Sequence, residues 1–464
     1  MQENAGQDPT SDATNAPPRH LSRRVVLGIM AMGVVGIGGT VGIVREQGAS
    51  RNSGRIPVTV WSWQSRTEVQ ALSDAADGFN ASQEEIEVRV EQRPPAYSSL
   101  QLLLTIRNGL GPDVCIGGRG LLAERDAIGI CEDIAPYLGD VGMSIDLDHD
   151  FHPSVAREVR IGERIVGIPL DMTVRVLMVN RSILAAEGVD ATEWSPDHGP
   201  ATFDRLAEVA QSLNRQDASG AYERVGFVPT FDQGSVYQYL NSWGARYFDE
   251  GQCTFTVDTP EALGAAQWVH DYVQHEGAQQ LDDLLRRGQG VVAAAGTPFL
   301  RGDIVFAIAT DQELNIIASV QPDIDLGATF VPVPDGSMPS RSWVTGNALS
   351  LMTGSRHPRE AVRFLAYMAE EDVLSRYCLR IGSLSSRVTM PTELLQGLAR
   401  PSFVTDMVLA TAIASPHVPI ATEFGDLLGA YWSDMLSGYT DVKVGLTDLQ
   451  SQANKALANA GLCS

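Results

Sequence analysis

The sequence predicts an α/β protein, and three observations point to that class. Short segments rich in β-branched residues alternate with amphipathic stretches from about residue 56 onward. Hydrophobic residues make up 44% of the chain and charged residues 20%, as in ordinary globular proteins. The length of 464 residues leaves room for two or three domain-sized units.

The first unit begins with three predicted strands, each followed by a helix. The strands are predicted at 56–61, 86–90 and 112–118, and the helices at 68–80, 97–108 and 121–128. Such alternation favours a parallel sheet covered on both faces, with a ligand crevice beyond the carboxyl ends of its strands. Two of these ends carry Ser62-Trp63 and Gly117-Gly118-Arg119.

A second unit is predicted after Gly167-Ile168-Pro169-Leu170-Asp171, where a proline and an aspartate precede a new apolar strand. Further strands are predicted at 225–229, 303–310, 328–333 and 343–352, and helices at 203–213, 236–243, 261–276 and 359–370. The chain from residue 391 is expected to be mainly helical. The sequence as a whole shows no internal repeat.

The first 50 residues have the pattern of an export signal. A polar stretch, predicted to be disordered, precedes Ser22-Arg23-Arg24 and the uncharged run 25–44. This is the pattern of a twin-arginine signal, and the run is long enough for about one bilayer crossing. Cleavage and retention as an anchor both stay open, whereas the lack of a nearby cysteine predicts that the protein is not a lipoprotein. We therefore expect a protein of the periplasm or cell surface.

The charge balance and the cysteines limit the class of partner. With 57 acidic and 34 basic residues the net charge is −23, which disfavours nucleic acid and anionic lipid as partners. Five scattered cysteines do not form a disulfide framework. Buried thiols are the preferred expectation, with room for one bridge.

Motifs of catalysis and of cofactor binding do not appear in the sequence. It has no G-x-S-x-G, H-E-x-x-H or G-x-x-x-x-G-K pattern. His149 and His152 lie near three aspartates, but a solvated acidic loop explains this cluster better than a metal site. We therefore predict no catalytic residue, no metal and no cofactor.

Tryptophans in polar or glycine-containing contexts suggest a different kind of site. Trp63, Trp243 and Trp343 have such surroundings, and Asp171 lies at a strand end. Sugars present an apolar C–H face and a polar rim, which proteins meet with flat aromatic rings and hydrogen-bonding side chains. A single tryptophan is more often part of a core, but the set together indicates a saccharide site.

From about residue 57 to residue 457 the chain resembles the extracellular solute-binding proteins of ABC importers, in their carbohydrate branch. The resemblance rests on phrases in a fixed order, namely Val60-Trp61-Ser62-Trp63, Gly109-Leu110-Gly111-Pro112-Asp113-Val114, Gly167-Ile168-Pro169 with Val179-Asn180-Arg181, Thr345-Gly346-Asn347, Ala361-Val362-Arg363-Phe364-Leu365, and Ile381-Gly382-Ser383-Leu384-Ser385-Ser386-Arg387. Each phrase is weak alone, and their order and spacing carry the resemblance.

The resemblance implies a two-lobed periplasmic-binding-protein-like fold that closes on a solute by hinge motion. Lobe 1 would comprise 55–170 with 335–387, and lobe 2 would comprise 171–333 with 388–464, with crossovers near 170, 333 and 387. The implied partners are a small solute, expected to be a mono- or oligosaccharide, and the membrane permease of an importer, with the chain itself a monomer. By position, the ligand-binding residues would be Trp63, Gly118, Arg119, Asp171, Trp243, Gln312, Trp343, Gly346 and Glu423.

Two departures from the family pattern make a maltodextrin platform doubtful. Gln312 stands where the family often has tryptophan, and Arg119 follows a strand end that often carries an acidic residue. Arg119 would pair either with an acidic sugar or phosphate, or with a structural carboxylate. Two alternatives to a receptor stay open: a secreted carbohydrate-active enzyme that uses Asp171 and Glu423, and a surface protein on the same scaffold that no longer transports.

Overall fold

The computed structural model describes residues 54–94, 99–287, 297–321, 323–391 and 403–462. Its strands are β1 Ile56–Ser62, β2 Ile86–Gln92, β3 Val114–Gly118, β4 Arg160–Ile161, β5 Arg164–Ile165, β6 Ile168–Pro169, β7 Asp171–Met172, β8 Arg175–Asn180, β9 Arg215–Gln216, β10 Tyr222–Phe227, β11 Phe248–Asp249, β12 Thr254–Phe255, β13 Ile304–Thr310, β14 Leu326–Thr329, β15 Asn347–Leu351 and β16 Leu384–Ser385.

The α-helices are α1 Arg66–Ser82, α2 Ser99–Arg107, α3 Leu122–Ala127, α4 Ala135–Asp140, α5 Leu147–Asp150, α6 Pro153–Val159, α7 Arg181–Ala186, α8 Phe203–Ser212, α9 Val236–Trp243, α10 Pro260–Glu276, α11 Ala278–Leu285, α12 Pro298–Arg301, α13 Asp311–Val320, α14 Pro358–Ala369, α15 Glu371–Ile381, α16 Ala421–Leu436 and α17 Val442–Ala460. Short 3₁₀ turns lie at Arg119–Leu121, Ala191–Trp194, Pro196–His198 and Leu409–Thr411, and a π-helical turn lies at Val404–Val408.

Helix starts follow local sequence signals. Ser65 and Glu68 form a reciprocal capping box at the start of α1, and Thr310 and Glu313 form one at the start of α13. Thr259 accepts a hydrogen bond from the amide of Ala262 at the start of α10, just before a proline at the first helical position. Because these side chains satisfy amides that the helix itself leaves unbonded, the starts of these helices are set locally.

Two five-stranded sheets form the centres of two lobes. In lobe 1 the strand order is β2-β1-β3-β15-β6, and in lobe 2 it is β14-β8-β13-β10-β9. Every residue of β8 and of β13 is buried, as expected for central strands covered on both faces. The predicted α/β class with two lobes is therefore confirmed.

Both sheets are mixed rather than parallel, unlike the prediction. β1 runs parallel to β2 and β3, and β10 runs parallel to β13, but β15 is antiparallel to β3 and β8 is antiparallel to β13. Asn347, the first residue of β15, pairs with Gly118, the last residue of β3. Because β15 enters its sheet at the carboxyl end of β3, it has to run in the opposite direction.

Two hydrophobic cores alternate along the chain. The core of lobe 1 contains Leu170, and the core of lobe 2 contains Met172. The chain returns to the first core between Val344 and Ala348, and it leaves again between Ile381 and Leu384. The lobe boundaries expected near 170, 333 and 387 stay predictions. The boundary expected near 333 lies earlier in the chain than the return to the first core between Val344 and Ala348.

The cysteines lie mainly inside the lobes. Cys115, Cys131 and Cys378 are buried, and burial raises the pKa of Cys115 to about 12 and that of Cys131 to about 11. Cys253 is disulfide-bonded, whereas Cys463 lies outside the described residues. The buried thiols that the sequence predicts are present. The disulfide at Cys253 agrees with the single bridge that the sequence allowed.

Candidate functional site between the lobes

A cavity of about 260 Å³ lies between the two lobes. Lobe 1 contributes the end of β3, the 3₁₀ turn that follows it, and α6. Lobe 2 contributes aromatic rings and the start of α16. The lining residues are Gly118, Arg119, Gly120, Leu121, Glu158, Tyr237, Tyr247, Trp343, Thr345, Gly346, Ser415, Pro416, Val418, Ala421 and Phe424. The cavity thus lies at a strand-end crevice, where α/β proteins commonly bind ligands.

A buried ion pair forms the polar side of the cavity. The Nε atom of Arg119 donates to Glu158 at 2.6 Å, and their side chains are 0% and 2% exposed. The second carboxylate oxygen of Glu158 accepts the amide of Ser415 at 3.1 Å. Since each charge has a close opposite partner, this pair adds no net charge to the cavity. Nη2 of Arg119 is buried without a hydrogen-bond partner among the described residues.

Gly346 allows this arginine to reach its place. Arg119 donates through Nη1 to the carbonyl of Asp171 and, at 3.4 Å, to the carbonyl of Asn347. A Cβ atom at Gly346 would overlap both the carbonyl of Asp171 and the guanidinium of Arg119. Any side chain at 346 would therefore displace the arginine from the cavity wall.

Four aromatic residues from lobe 2 and its connection to lobe 1 line the opposite side. The ring of Tyr237 lies 5.0 Å from that of Trp343 and 5.3 Å from that of Tyr247, measured between centroids. Tyr247 in turn stacks on Phe424 at 5.7 Å and 11°. Burial raises the pKa of Tyr237 to about 12, so its phenol stays neutral near pH 7. The wall presents uncharged flat rings whose polar atoms lie at their edges.

Arg175 holds Trp343 in place. Its guanidinium carbon lies 4.4 Å from the centroid of the indole, and Nη1 donates to the carbonyl of Trp343 at 3.2 Å and to the hydroxyl of Thr345 at 2.7 Å. The indole nitrogen donates to the hydroxyl of Ser415 at 3.1 Å. The ring is thus fixed by a cation on its face and by a hydrogen bond at its edge.

An acidic pair, buried at Glu313 and half-buried at Asp232, lies close to Arg175, where β10 and β13 end. Asp232 is in a left-handed conformation with φ 53° and faces Glu313. Burial and then the charge of Glu313 raise the pKa of Asp232 to about 8. Glu313 accepts from both the amide and the hydroxyl of Thr310. The two carboxyl groups can lie this close together because Asp232 keeps its proton near neutral pH.

The structure brings four of the nine predicted site residues to the cavity: Gly118, Arg119, Trp343 and Gly346. Asp171 lies just behind it, buried, where its carboxylate accepts the amide of Asn347 at 3.0 Å. Burial raises the pKa of Asp171 to about 6, and nearby Arg119 opposes that shift.

The other predicted residues lie elsewhere. Trp63 packs on the core of lobe 1 beneath the guanidinium of Arg125, at 5.1 Å. Trp243 stacks on Phe203 at 4.7 Å, within the aromatic cluster of lobe 2. The amide of Gln312 donates to the carbonyl of Ile381 at 2.7 Å, which links the two lobes, and Glu423 is exposed in the first turn of α16.

Sequence reasoning missed Glu158, Tyr237, Tyr247, Ser415 and Phe424. Tyr237 belongs to the same aromatic helix as Trp243, but six residues of α-helix place the two side chains about 120° apart. A helical projection of that segment could have separated a cavity face from a core face. Glu158 and Ser415 follow no recognisable local motif.

The histidine cluster near residue 149 does not form a metal site in the described residues. Asp146 instead caps α5 and contacts the ring of His149 at 2.8 Å. The solvated-loop interpretation fits these contacts.

Comparison with known proteins gives a consistent result for the fold. A family model described as bacterial extracellular solute-binding protein matches residues 63–374, more than half of the chain. The chain belongs to this family. Among solved structures, one with mannotriose bound superposes with a TM-score of 0.72 at 19% identity, covering 86% of this chain and 100% of the other. A cyclic α-maltosyl-1,6-maltose-binding protein from Arthrobacter globiformis gives 0.66 at 21% identity, covering 87% and 99%.

A curated relative is the maltotriose-binding protein of Pyrococcus abyssi, which is 23% identical over 294 residues. That alignment covers 63% of this chain and 59% of the relative, so the chain matches less than two thirds of the relative's length. Among the described residues, no helix has the length and apolar character needed to cross a membrane, and the run 25–44 lies outside them.

Proposed function

We propose that this protein is the solute-binding receptor of an ABC-type importer and that it captures a neutral saccharide of one or two sugar units. The observation that supports this most directly is the cavity between the lobes, which has an aromatic wall on one side and a self-neutralised ion pair on the other. Sugar C–H faces stack on such rings, and sugar hydroxyls bond to such polar edges.

The volume and the charge of the cavity narrow the solute. Small-molecule pockets commonly span about 300–1,000 Å³, so 260 Å³ favours a small ligand. Because Arg119 already has Glu158 as its partner, an acidic sugar would bring an uncompensated charge into the cavity. The family and the sugar-bound structural neighbours agree with a saccharide.

Binding without catalysis is part of the proposal. The alternative enzyme would need Asp171 and Glu423 as a facing pair. The carboxylate of Asp171 is buried and bound to the amide of Asn347, and Glu423 is exposed on α16. Export by a twin-arginine signal, location at the periplasm or cell surface, and delivery to a permease complete the proposal. They rest on the sequence pattern at 22–44 and on the family.

Titration calorimetry and tryptophan fluorescence against a panel of sugars test the proposal. The panel contains neutral mono-, di- and trisaccharides together with uronic acids and sugar phosphates. We expect binding of a neutral mono- or disaccharide, and roughly 30-fold weaker binding by Trp343→Ala, since a central aromatic contact is lost. Trp243→Phe is the matched control, because Trp243 lies away from the cavity. A protein that responds to no neutral saccharide, or that prefers the charged ones, would contradict the proposal.

A further inference from the structure

One segment of lobe 2 closes against lobe 1 beside the cavity. This closing segment, residues 413–422, is anchored in lobe 2 because Val418 and Ile420 belong to that core. It meets lobe 1 at two carboxylates, Glu158 and Glu124, and at the carbonyl of Arg157, which lies 3.0 Å from Nε2 of His417. Glu158 belongs to the cavity, whereas Glu124 does not line it.

Glu124 uses both of its carboxylate oxygens on a single residue of the other lobe. One oxygen accepts the amide of Thr422 at 2.6 Å, and the other accepts the hydroxyl of Thr422 at 2.9 Å. Glu124 lies on α3 in lobe 1 and is 7% exposed. A buried carboxylate that binds an amide and a hydroxyl at these distances makes a strong charge-assisted contact.

The contact replaces a cap that α16 lacks in its own lobe. Thr422 lies in the first turn of α16, and the residue at its N-cap position, Ile420, provides no side-chain hydrogen bond. The first amides of a helix need acceptors, and the positive end of the helix dipole favours an anion. Lobe 1 thus supplies to a helix of lobe 2 the cap that a serine or aspartate usually supplies.

The capped helix end forms part of the cavity wall. Ala421 and Phe424, on either side of Thr422, both line the cavity. Phe424 also stacks on Tyr247, so the position of the helix end sets the position of two aromatic rings. If the lobes separate, water replaces Glu124 at the start of α16. The contact between Glu124 and Thr422 therefore stabilises only the closed form.

We propose that Glu124 is an interlobe clip: it caps α16 only when the lobes are closed, and it thereby sets how long the solute stays bound. This inference rests on the proposed function. Glu124 acts as a positioning residue through Thr422 and touches no solute. It should therefore affect the dissociation rate more than the association rate.

Stopped-flow fluorescence with the neutral saccharide that binds the wild type tests the clip. We expect Glu124→Ala to raise koff about tenfold while kon stays within about twofold, because only a contact of the closed form is lost. The koff of Glu124→Gln, which keeps one acceptor oxygen, should lie between the values for the wild type and for Glu124→Ala. The melting temperature of the solute-free variant should match that of the wild type.

Thr259→Ala is the matched control. Thr259 caps α10, which lies within lobe 2, so its loss should lower the melting temperature of the protein and leave koff unchanged. An unchanged koff in Glu124→Ala would overturn the inference. So would a melting temperature of solute-free Glu124→Ala that falls as far as that of Thr259→Ala, since the role of Glu124 would then be merely structural.

A measurement without solute separates this inference from the proposed function. Dyes on exposed positions of the two lobes, introduced by Asp77→Cys and Asp282→Cys, report the closed population by single-molecule energy transfer. We expect that population to be smaller when Glu124→Ala is added. Equal populations, or no closed population in either protein, would overturn the clip even if no saccharide bound at all.

Discussion

Two buried arginines, one from each lobe, support the cavity wall, and their charges are accommodated in different ways. Arg119 of lobe 1 has a direct carboxylate partner, Glu158, at 2.6 Å. Arg175 of lobe 2 donates to neutral oxygens of Trp343, Thr345 and Gln233 and stacks on an indole. Burial lowers the pKa of Arg175 to about 10, with buried carboxylates nearby opposing the shift. Lobe 1 thus contributes the ion pair Arg119–Glu158, whose two charges cancel, and lobe 2 contributes a cation that supports the ring of Trp343.

The largest loss of stability is expected from breaking the ion pair between Arg119 and Glu158. Arg119→Ala leaves Glu158 as a buried charge whose one remaining hydrogen-bond partner in the described part of the chain is the Ser415 amide, which should lower the free energy of unfolding by about 3–5 kcal/mol. Chemical denaturation measures this loss. The double variant Arg119→Met with Glu158→Leu should recover most of it, since both charges are then absent. Equal stability of Arg119→Ala and the wild type would mean that water, and not the arginine, compensates Glu158.

A smaller effect is expected from Arg175, whose partners are neutral. Arg175→Met keeps most of the bulk beneath Trp343 but loses three hydrogen bonds and the cation on the ring. The indole should become mobile, and saccharide binding should weaken about tenfold, or about 1.4 kcal/mol. Calorimetry gives the affinity, and red-edge fluorescence reports the mobility of Trp343. Unaltered affinity would show that Ser415 alone holds the ring.

A separate effect is expected to depend on pH and to come from the acids near Arg175. The pKa of Asp232 is raised from 3.8 to about 8, so the folded protein binds a proton that the unfolded chain releases. The resulting stabilisation is complete below about pH 4 and is lost as pH rises through about 8. Asp232→Asn removes this dependence.

Melting temperatures at pH 5, 7 and 9 check this expectation. The wild type should fall more steeply than Asp232→Asn across that range, and the variant should be the more stable protein at pH 9. Asp171, with its pKa raised to about 6, adds a slope in both proteins that is confined to lower pH. Parallel curves for the two proteins would mean that Asp232 is ionised throughout.

Local patterns predicted most elements but not their long-range pairing. The strand at residues 56–61 and the helix at 261–276 were found because period and capping are local properties. The insertion of β15 between β3 and β6 depends on contacts between distant parts of the chain, and no local signal encodes them. The parallel sheet predicted from strand–helix alternation was therefore wrong in this respect.

The candidate site was predictable where it follows strand ends. Gly118 and Arg119 come directly after β3, and the strand-end rule finds them. Tyr247 and Ser415 come from a hairpin and an irregular segment, and only the folded chain brings them together. Whether Trp63, Asp171, Trp243, Gln312 and Glu423 contact a solute stays a prediction.

The central place of β15 in the sheet of lobe 1 also affects how the chain can fold. Its partners, Val114–Gly118 and Ile168–Pro169, are synthesised long before Asn347–Leu351, and the larger part of lobe 2 lies between them in sequence. A nascent chain therefore exposes the unpaired edges of β3 and β6 until β15 has been made. Contacts of such sequence separation slow folding and favour aggregation of incomplete chains. We expect lobe 1 to reach its native state late, after Asn347–Leu351 has emerged from the ribosome.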